Sequence, residues 1–371
     1  MSENNKVCHT LCLDKKPKEY VKLFFGDYGH FKRIDKEPFP VFRKLAESDE
    51  GNTWFFKEID YSRDKKGIKE LDDKMIRMFH LNILYQNNMD SLVPNVFNFL
   101  SDIVTESWLS YLYDRIGVVE NIHSFTYSNG LEQVFGSKAT EMLDYVYGDE
   151  ILKKRTDKEI EIANRFIDIV FKQEKSDDEA KKIILELLLR TFFLEGVKFP
   201  HSFFVTWTIN KACGNCIQGF SQALLMIAWD ELTIHTPTGS NLMKILMSDK
   251  EQEFIQLKDW FTHRAYEIAK ETAELEFEWA DYLLKNGDIQ GYNETIAKHF
   301  IRYWTDFRLK ELGLNPVYNE EKSDIIDWFN SYRNLNKKQI NLQEADNTNY
   351  QKGQVKNDLH LLDKENFNGL L

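Results

Sequence analysis

The stretch Glu120-Asn121-Ile122-His123-Ser124-Phe125-Thr126-Tyr127 places a carboxylate, an imidazole and a phenol at helical spacing. On a helix, Glu120 and His123 lie three apart on one side, and Tyr127, four further on, continues the stripe. Carboxylate plus imidazole at this spacing is how helix bundles hold a metal ion, and paired metals are held by repeating the motif from another helix. Alone, Glu-x-x-His is a weak signal, because it occurs by chance in many helices. A second group lies in an apolar run, Ala228-Trp229-Asp230-Glu231-Leu232-Thr233-Ile234-His235. Two acids and a histidine there are costly unless they have partners. The bland alternative sets Asp230 and Glu231 at a helix end in water; the flanking Ile227, Ala228 and Ile234 argue against it. Asp90, in Met89-Asp90-Ser91-Leu92, and Glu195, in Phe193-Leu194-Glu195-Gly196-Val197, are further acids in apolar settings.

Each acid is ambiguous by itself. Together, one acid on each of two helices and an acid-and-histidine motif on each of two others complete a two-metal carboxylate site: Asp90, Glu120, His123, Glu195, Glu231 and His235. Charge explains the set. Two divalent cations bring four positive charges, which four carboxylates cancel beside two neutral imidazoles, so the site can sit in a low-dielectric core. Hard oxygen ligands suit iron or manganese and leave positions for dioxygen.

The elements that must position these groups are helices. Seven Pro and 17 Gly in 371 residues are few, and long stretches lack both. Helical periodicity runs over residues 70–88 and on to Leu92, where Pro94 interrupts it or opens the next segment. It returns over 96–114, 118–135, 141–146, 157–171, 177–194 and 213–234. The last helices are 251–285, ended by Asn286-Gly287, and 292–312, stopped by Gly313 and Pro316. Residues 198–209 are apolar and β-branched, but Pro200 leaves their geometry open. The whole reads as an all-α bundle with an aromatic-rich core (aromatics are 14% of the chain). Residues 1–20 form a flexible polar arm, 21–336 the helical domain, and 337–371 a mobile polar tail.

A net charge of −12 without a basic stripe argues against direct nucleic-acid binding. The N-terminus lacks a signal pattern, and apolar runs such as 183–189 and 223–229 are too short to span a bilayer, so no membrane is expected and the cytoplasm is. Cys8, Cys12, Cys213 and Cys216 form two close pairs far apart in sequence. A zinc site is disfavoured by that separation, and by the placing of Cys213 and Cys216 in an apolar helix. Reduced thiols, inert or mildly redox-active, are expected.

Over nearly its whole length the chain resembles the small, radical-generating subunit of class I ribonucleotide reductase. Leu23-Phe24-Phe25-Gly26 resembles that family's N-terminal segment, and Trp54 with Glu58-Ile59-Asp60-Tyr61-Ser62-Arg63-Asp64 its tryptophan-then-acidic stretch. Tyr85-Gln86 before Met89-Asp90-Ser91 resembles the first ligand helix, and Glu120 to Tyr127 the second. Leu194-Glu195 with Phe199, Ser202 and Phe203 resembles the third, and Ile227-Ala228-Trp229-Asp230-Glu231 the fourth. Trp279-Ala280-Asp281-Tyr282-Leu283, Gly291, Gly313-Leu314 and Asn349-Tyr350-Gln351-Lys352-Gly353-Gln354 resemble later helices and the tail.

The resemblance implies a ferritin-like helical bundle with a di-metal carboxylate core. It implies that the six ligands hold two iron ions per chain, manganese being the other candidate, with Glu120 and Glu231 bridging. Dioxygen would then generate a radical on Tyr127, walled off by Phe199, Phe203 and Ile227. Trp54, joined through Asp230 to His123, would start a radical path. Tyr350 would relay it, with Glu344 as proton partner, to a large catalytic subunit docked by the last residues, Asn366-Phe367-Asn368-Gly369-Leu370-Leu371. A homodimer is also implied. The chain departs from the family where His235 stands four after Glu231 instead of three. A π-bulge accommodates one extra residue, and Pro237 close behind favours distortion. Trp229, at an often basic position, and Pro200 also depart from the pattern. A di-metal oxidase or oxygenase without radical transfer is the competing reading. A metal-free helical binding protein would leave the buried acids unpaired.

Overall fold

The computed structural model describes residues 23–24, 37–172, 177–248 and 252–333. Among them there is no strand, only two isolated antiparallel bridges, Phe24 with Val104 and Ile289 with Tyr292. The first elements are α1 (Pro40–Asn52), α2 (Asp64–Gly67), α3 (Asp73–Ile103), α4 (Ser107–Phe135), α5 (Lys138–Asp144) and α6 (Glu150–Lys172). Next come α7 (Asp177–Phe193), α8 (Phe199–Ala212), α9 (Gln218–Asp230) and α10 (Thr236–Leu246). The series ends with α11 (Gln252–Ile255), α12 (Lys258–Leu283), α13 (Glu294–Glu311) and α14 (Asp324–Tyr332). A π-helical turn, Leu194–Lys198, joins α7 to α8, and another, Glu231–His235, joins α9 to α10. The architecture is the ferritin-like bundle expected from the sequence. No helix among the described residues is long and apolar enough to cross a membrane.

The two longest helices, α3 and α4, form the most extensive packed pair; α6 and α8 pack on α3, and α1 and α9 pack on α4. Asp72 caps α3 by accepting from the Lys74 and Met75 amides at 3.0 and 2.8 Å. Gly287 and Gly313, with φ of +103° and +76°, follow the α12 and α13 segments where the sequence placed stops.

Several boundaries differ from expectation. Pro94 neither ends nor begins a helix; α3 carries it inside and continues to Ile103. The break before α4 falls at 104–106 instead of 115–117. There the Thr105 amide donates to the Leu23 carbonyl at 2.9 Å, and Glu106 caps α4 through the Leu109 amide at 2.6 Å. Arg115 stays helical because it reaches Asp49 and Thr53 of α1 and its end, both at 2.6 Å. Helix α6 starts earlier than expected, at Glu150, because Asp149 accepts from Ile151 and Leu152. Residues 251–285 are two helices, not one. Cys213 and Cys216 are not within a helix: they flank the turn before α9, and they are joined as a disulfide, where free thiols were expected.

That turn delivers α9 at a fixed height. Asp64, buried in α2, accepts from the Gly219 and Phe220 amides at 2.9 and 2.8 Å, capping α9 from a distant part of the chain. Asp64→Ala is expected to lower stability by ~1–2 kcal/mol, as loss of an N-cap does. Chemical denaturation monitored by circular dichroism measures it, and an unchanged midpoint would show that Asp64 does not anchor α9.

Candidate metal centre

Helix α3 supplies Asp90. Helix α4 supplies Glu120, His123 and Tyr127. The first π turn supplies Glu195, and the second Glu231 and His235, directly after Asp230. All of these side chains are buried, by 96% or more. Two overlapping groups form: Asp90, Glu120, His123 and Glu231; and Glu120, Glu195, Glu231 and His235. In each group one ligand atom per residue lies within 4.8 Å of all the others. Glu120 and Glu231 belong to both. All six residues expected from the sequence thus meet in one cavity.

His123 Nδ1 lies 3.1 Å from Glu231 Oε1, 3.4 Å from Glu120 Oε2 and 3.8 Å from Asp90 Oδ2. His235 Nδ1 lies 2.8 Å from Glu231 Oε2 and 3.1 Å from Glu120 Oε1. Few of these approaches are aligned as hydrogen bonds. Both oxygens of Asp90, Glu120 and Glu195, together with Glu231 Oε1, His123 Nδ1 and His235 Nε2, have no hydrogen-bond partner. Buried polar atoms are normally satisfied, so this many orphans at one point need a ligand. Seven carboxylate oxygens and two ring nitrogens converge without a proton donor of their own, and that donor set fits a pair of divalent cations.

The electrostatics agree. Burial, then the neighbouring carboxylates, push Asp90 and Glu195 well above the ordinary carboxylate range. Glu231 goes the other way: burial would raise it, but the two imidazoles hold it below that range. Burial would lower His235, yet Glu231 and Glu120 push it up to about 10. The carboxylates thus favour positive charge at this point, which a pair of cations would supply.

On the far side of His123, Nε2 lies 2.9 Å from Asp230 Oδ2, which also accepts from Trp54 Nε1 at 2.7 Å. The Trp54 and His123 rings are stacked, with centroids 5.9 Å apart. Trp54, Asp230 and His123 therefore form the connected line that the resemblance implies. Tyr127 is buried, its hydroxyl has no partner, and burial followed by the charges of Asp90, Glu231 and Glu120 holds its phenol well above the usual value. Phe199, Phe203 and Ile227 are fully buried. Tyr350, Glu344, residues 366–371, Cys8 and Cys12 lie outside the described residues.

The distortion expected at His235 is present, and so is a second one that the sequence reading missed. In each π turn the amide after it donates five residues back: Phe199 to Leu194, and Thr236 to Glu231. In each, a proline stands two residues after the turn, Pro200 and Pro237. Proline has no N–H for the carbonyl four residues back. In the first turn that carbonyl, Gly196 O, accepts instead from buried Arg308 Nε at 3.0 Å. A Cβ at Gly196 would stand 2.5 Å from that nitrogen, so only glycine admits the arginine. In the second turn Thr236 Oγ1 adds a 2.6 Å bond to the Glu231 carbonyl. An acid in an apolar run followed within six residues by a proline, Glu195 with Pro200 and Glu231 with Pro237, is the signal that could have found both.

A family model described as ribonucleotide reductase, small chain, matches residues 36–338. The ribonucleoside-diphosphate reductase subunit beta of Buchnera aphidicola subsp. Baizongia pistaciae is 26% identical over 96% of this chain and 98% of its own length. A ribonucleotide reductase R2 subunit from Clostridium botulinum superposes with a TM-score of 0.79 at 21% identity, covering 88% of this chain and 98% of that one. A dimanganese(II)-NrdF of Streptococcus sanguinis does so with a TM-score of 0.63 at 18% identity, over 82% and 99%.

Thr236→Val, which keeps shape and removes only the hydroxyl, is expected to cost ~1 kcal/mol. Thr236→Ser should recover most of it. Denaturation midpoints of the three proteins measure the difference, and equal midpoints would show that the hydroxyl does not hold the turn.

Proposed function

Because this chain belongs to the ribonucleotide reductase small-chain family, we propose that it is the radical-generating small subunit of a class I ribonucleoside-diphosphate reductase, working with a large catalytic subunit. The observation that carries this reading is a dry, unpartnered phenol on the helix that also supplies a carboxylate and an imidazole to the cluster of buried orphan atoms. Asp90, Glu120, His123, Glu195, Glu231 and His235 would hold two cations, Glu120 and Glu231 being common to both groups. Iron is the proposed metal, with manganese the alternative. When bound, the pair supplies dioxygen activation and the one-electron oxidising power the site needs.

The chain's own residues do the rest. Tyr127 holds the radical. Its raised pKa keeps the phenol protonated, so its electron leaves together with its proton. Phe199, Phe203 and Ile227 exclude water from it. Trp54 donates to Asp230, which orients His123, so hydrogen bonds run unbroken from the cluster to an indole. A self-contained oxidase has no use for such a line, which favours radical export over the oxidase reading. From Trp54 the path continues to Tyr350, with Glu344 as proton partner, and residues 366–371 dock the large subunit. The proposed organisation is a polar arm over 1–20, the metal domain over 21–336 and a docking tail over 337–371, in a cytoplasmic homodimer.

The test is anaerobic ferrous loading followed by air. The wild-type chain should give a sharp tyrosyl absorption and an organic radical signal. Tyr127→Phe should bind the same two metals per chain, give no radical and abolish nucleotide reduction; retained reduction would refute the role of Tyr127. Ending the chain at Gly353 should leave the radical intact and weaken large-subunit binding at least roughly tenfold. Unchanged affinity would remove the docking assignment.

A further inference from the structure

The turn Cys213-Gly214-Asn215-Cys216 plays no part in the metal centre, yet it is built for chemistry. We propose that Cys213 and Cys216 are a redox-active pair, a disulfide that opens and closes by exchange with a dithiol while the fold persists. The turn lies at the surface between α8 and α9, and Gly214 and Asn215 are exposed. Their φ values of +73° and +65° fold the backbone so that the two cysteine Cα atoms stand 5.6 Å apart and the sulfurs bond. Both cysteines are half-buried and within reach of a thiol.

The bond is a poor structural staple. It closes a loop of sequence separation 3, and short loops restrain the unfolded chain least. The turn also has fastenings that do not use sulfur. The Asn210 carbonyl accepts from the Asn215 amide at 2.7 Å, and Asn210 Oδ1 accepts from the Ile217 amide at 3.0 Å. Asp64 holds the amides of Gly219 and Phe220. A reduced chain therefore keeps the turn and the start of α9.

The two sulfurs are not equivalent. The Cys216 amide donates to Cys213 Sγ at 3.2 Å, so negative charge is better stabilised on Cys213. An incoming thiolate attacks Cys216 Sγ, the S–S bond breaks, and its electron pair leaves on Cys213. The second thiolate of the same reductant then displaces Cys216 from the mixed disulfide. The protein gains two electrons and two protons, and the dithiol becomes a disulfide. Oxidation runs the same steps backwards.

The experiment uses the full chain with Cys8→Ser and Cys12→Ser, so that only this pair remains. The protein is equilibrated in mixtures of reduced and oxidised dithiothreitol, quenched with iodoacetamide and weighed intact. The two thiols should titrate as one two-electron transition, with singly alkylated chain below roughly a tenth of the total. The far-UV circular dichroism of the two end states should coincide. In the reduced chain, Cys213 should alkylate several-fold faster than Cys216 at neutral pH. A chain that never forms the bond, one that opens it only in denaturant, or one that loses helix on reduction would overturn the proposal. Equal alkylation rates would overturn the assigned direction of attack.

Discussion

Four carboxylates are buried around one point, faced by two imidazoles and by no lysine or arginine among the hydrogen bonds and ion pairs they make. Taking an ion from water into protein costs several kcal/mol even after relaxation, so this cluster is a liability to the fold. Each carboxylate must be neutralised, by a proton, an imidazolium or a cation. The long helices on every side accept that liability by being rigid. The cluster draws on α3, α4 and two π turns, far apart in sequence.

A second buried ionic cluster in the same domain shows what a completed one looks like. Glu276 of α12 accepts from Arg155 at both oxygens, at 2.6 and 2.7 Å, and its Oε2 also meets His201 Nδ1 at 2.7 Å. His201 continues to Tyr292, and the Arg155 guanidinium lies over the Tyr85 and Trp279 rings at 3.5 and 4.4 Å. There Glu276 stays below its usual range, despite burial, because Arg155 and His201 face it. Burial is equal in the two clusters. Partners are not, and only the partnerless one has the composition and spacing of a ligand set. Burial plus charge alone would have flagged both; the unsatisfied carboxylate oxygens separate them, since Arg155 Nη1 is the one charged-group atom of the second cluster without a hydrogen-bond partner.

The sequence made the candidate ligand set legible because each member is an acid or histidine that local composition cannot excuse: Asp90 beside Met89, Glu195 between Leu194 and Val197, Glu231 after Ile227 and Ala228. The helical class was legible for a related reason, the scarcity of breakers over long amphipathic stretches. What escaped depended on contacts between distant segments. The end of α3 is set by the bridge to Phe24, not by Pro94, and Arg115 is held helical by Asp49. The turn at Cys213 was read as helix because its neighbours are apolar, but its geometry comes from Asn210 and Asp64. The buried Arg155 and Arg308 look like surface residues until their partners, Glu276 and the Gly196 carbonyl, are brought to them by the fold.

The two prolines tie these observations together. In an unbroken α-helix an acid projects where the periodicity puts it, and the register cannot be adjusted for one side chain alone. A π turn inserts a residue and rotates the next stretch of chain, which moves a ligand without moving the helix. The cost is a carbonyl left without its usual donor, and proline two residues beyond the turn makes that cost permanent by removing the N–H that could close the helix again. At Glu195 the loss is made good by Arg308 on α13, and at Glu231 the turn is reinforced by Thr236 next to His235. The one-residue excess between Glu231 and His235 is then no defect in the motif. It is the local shape that lets His235 come within 3.1 Å of Glu120 on another helix, and the same device, under a different sequence, places Glu195 opposite it.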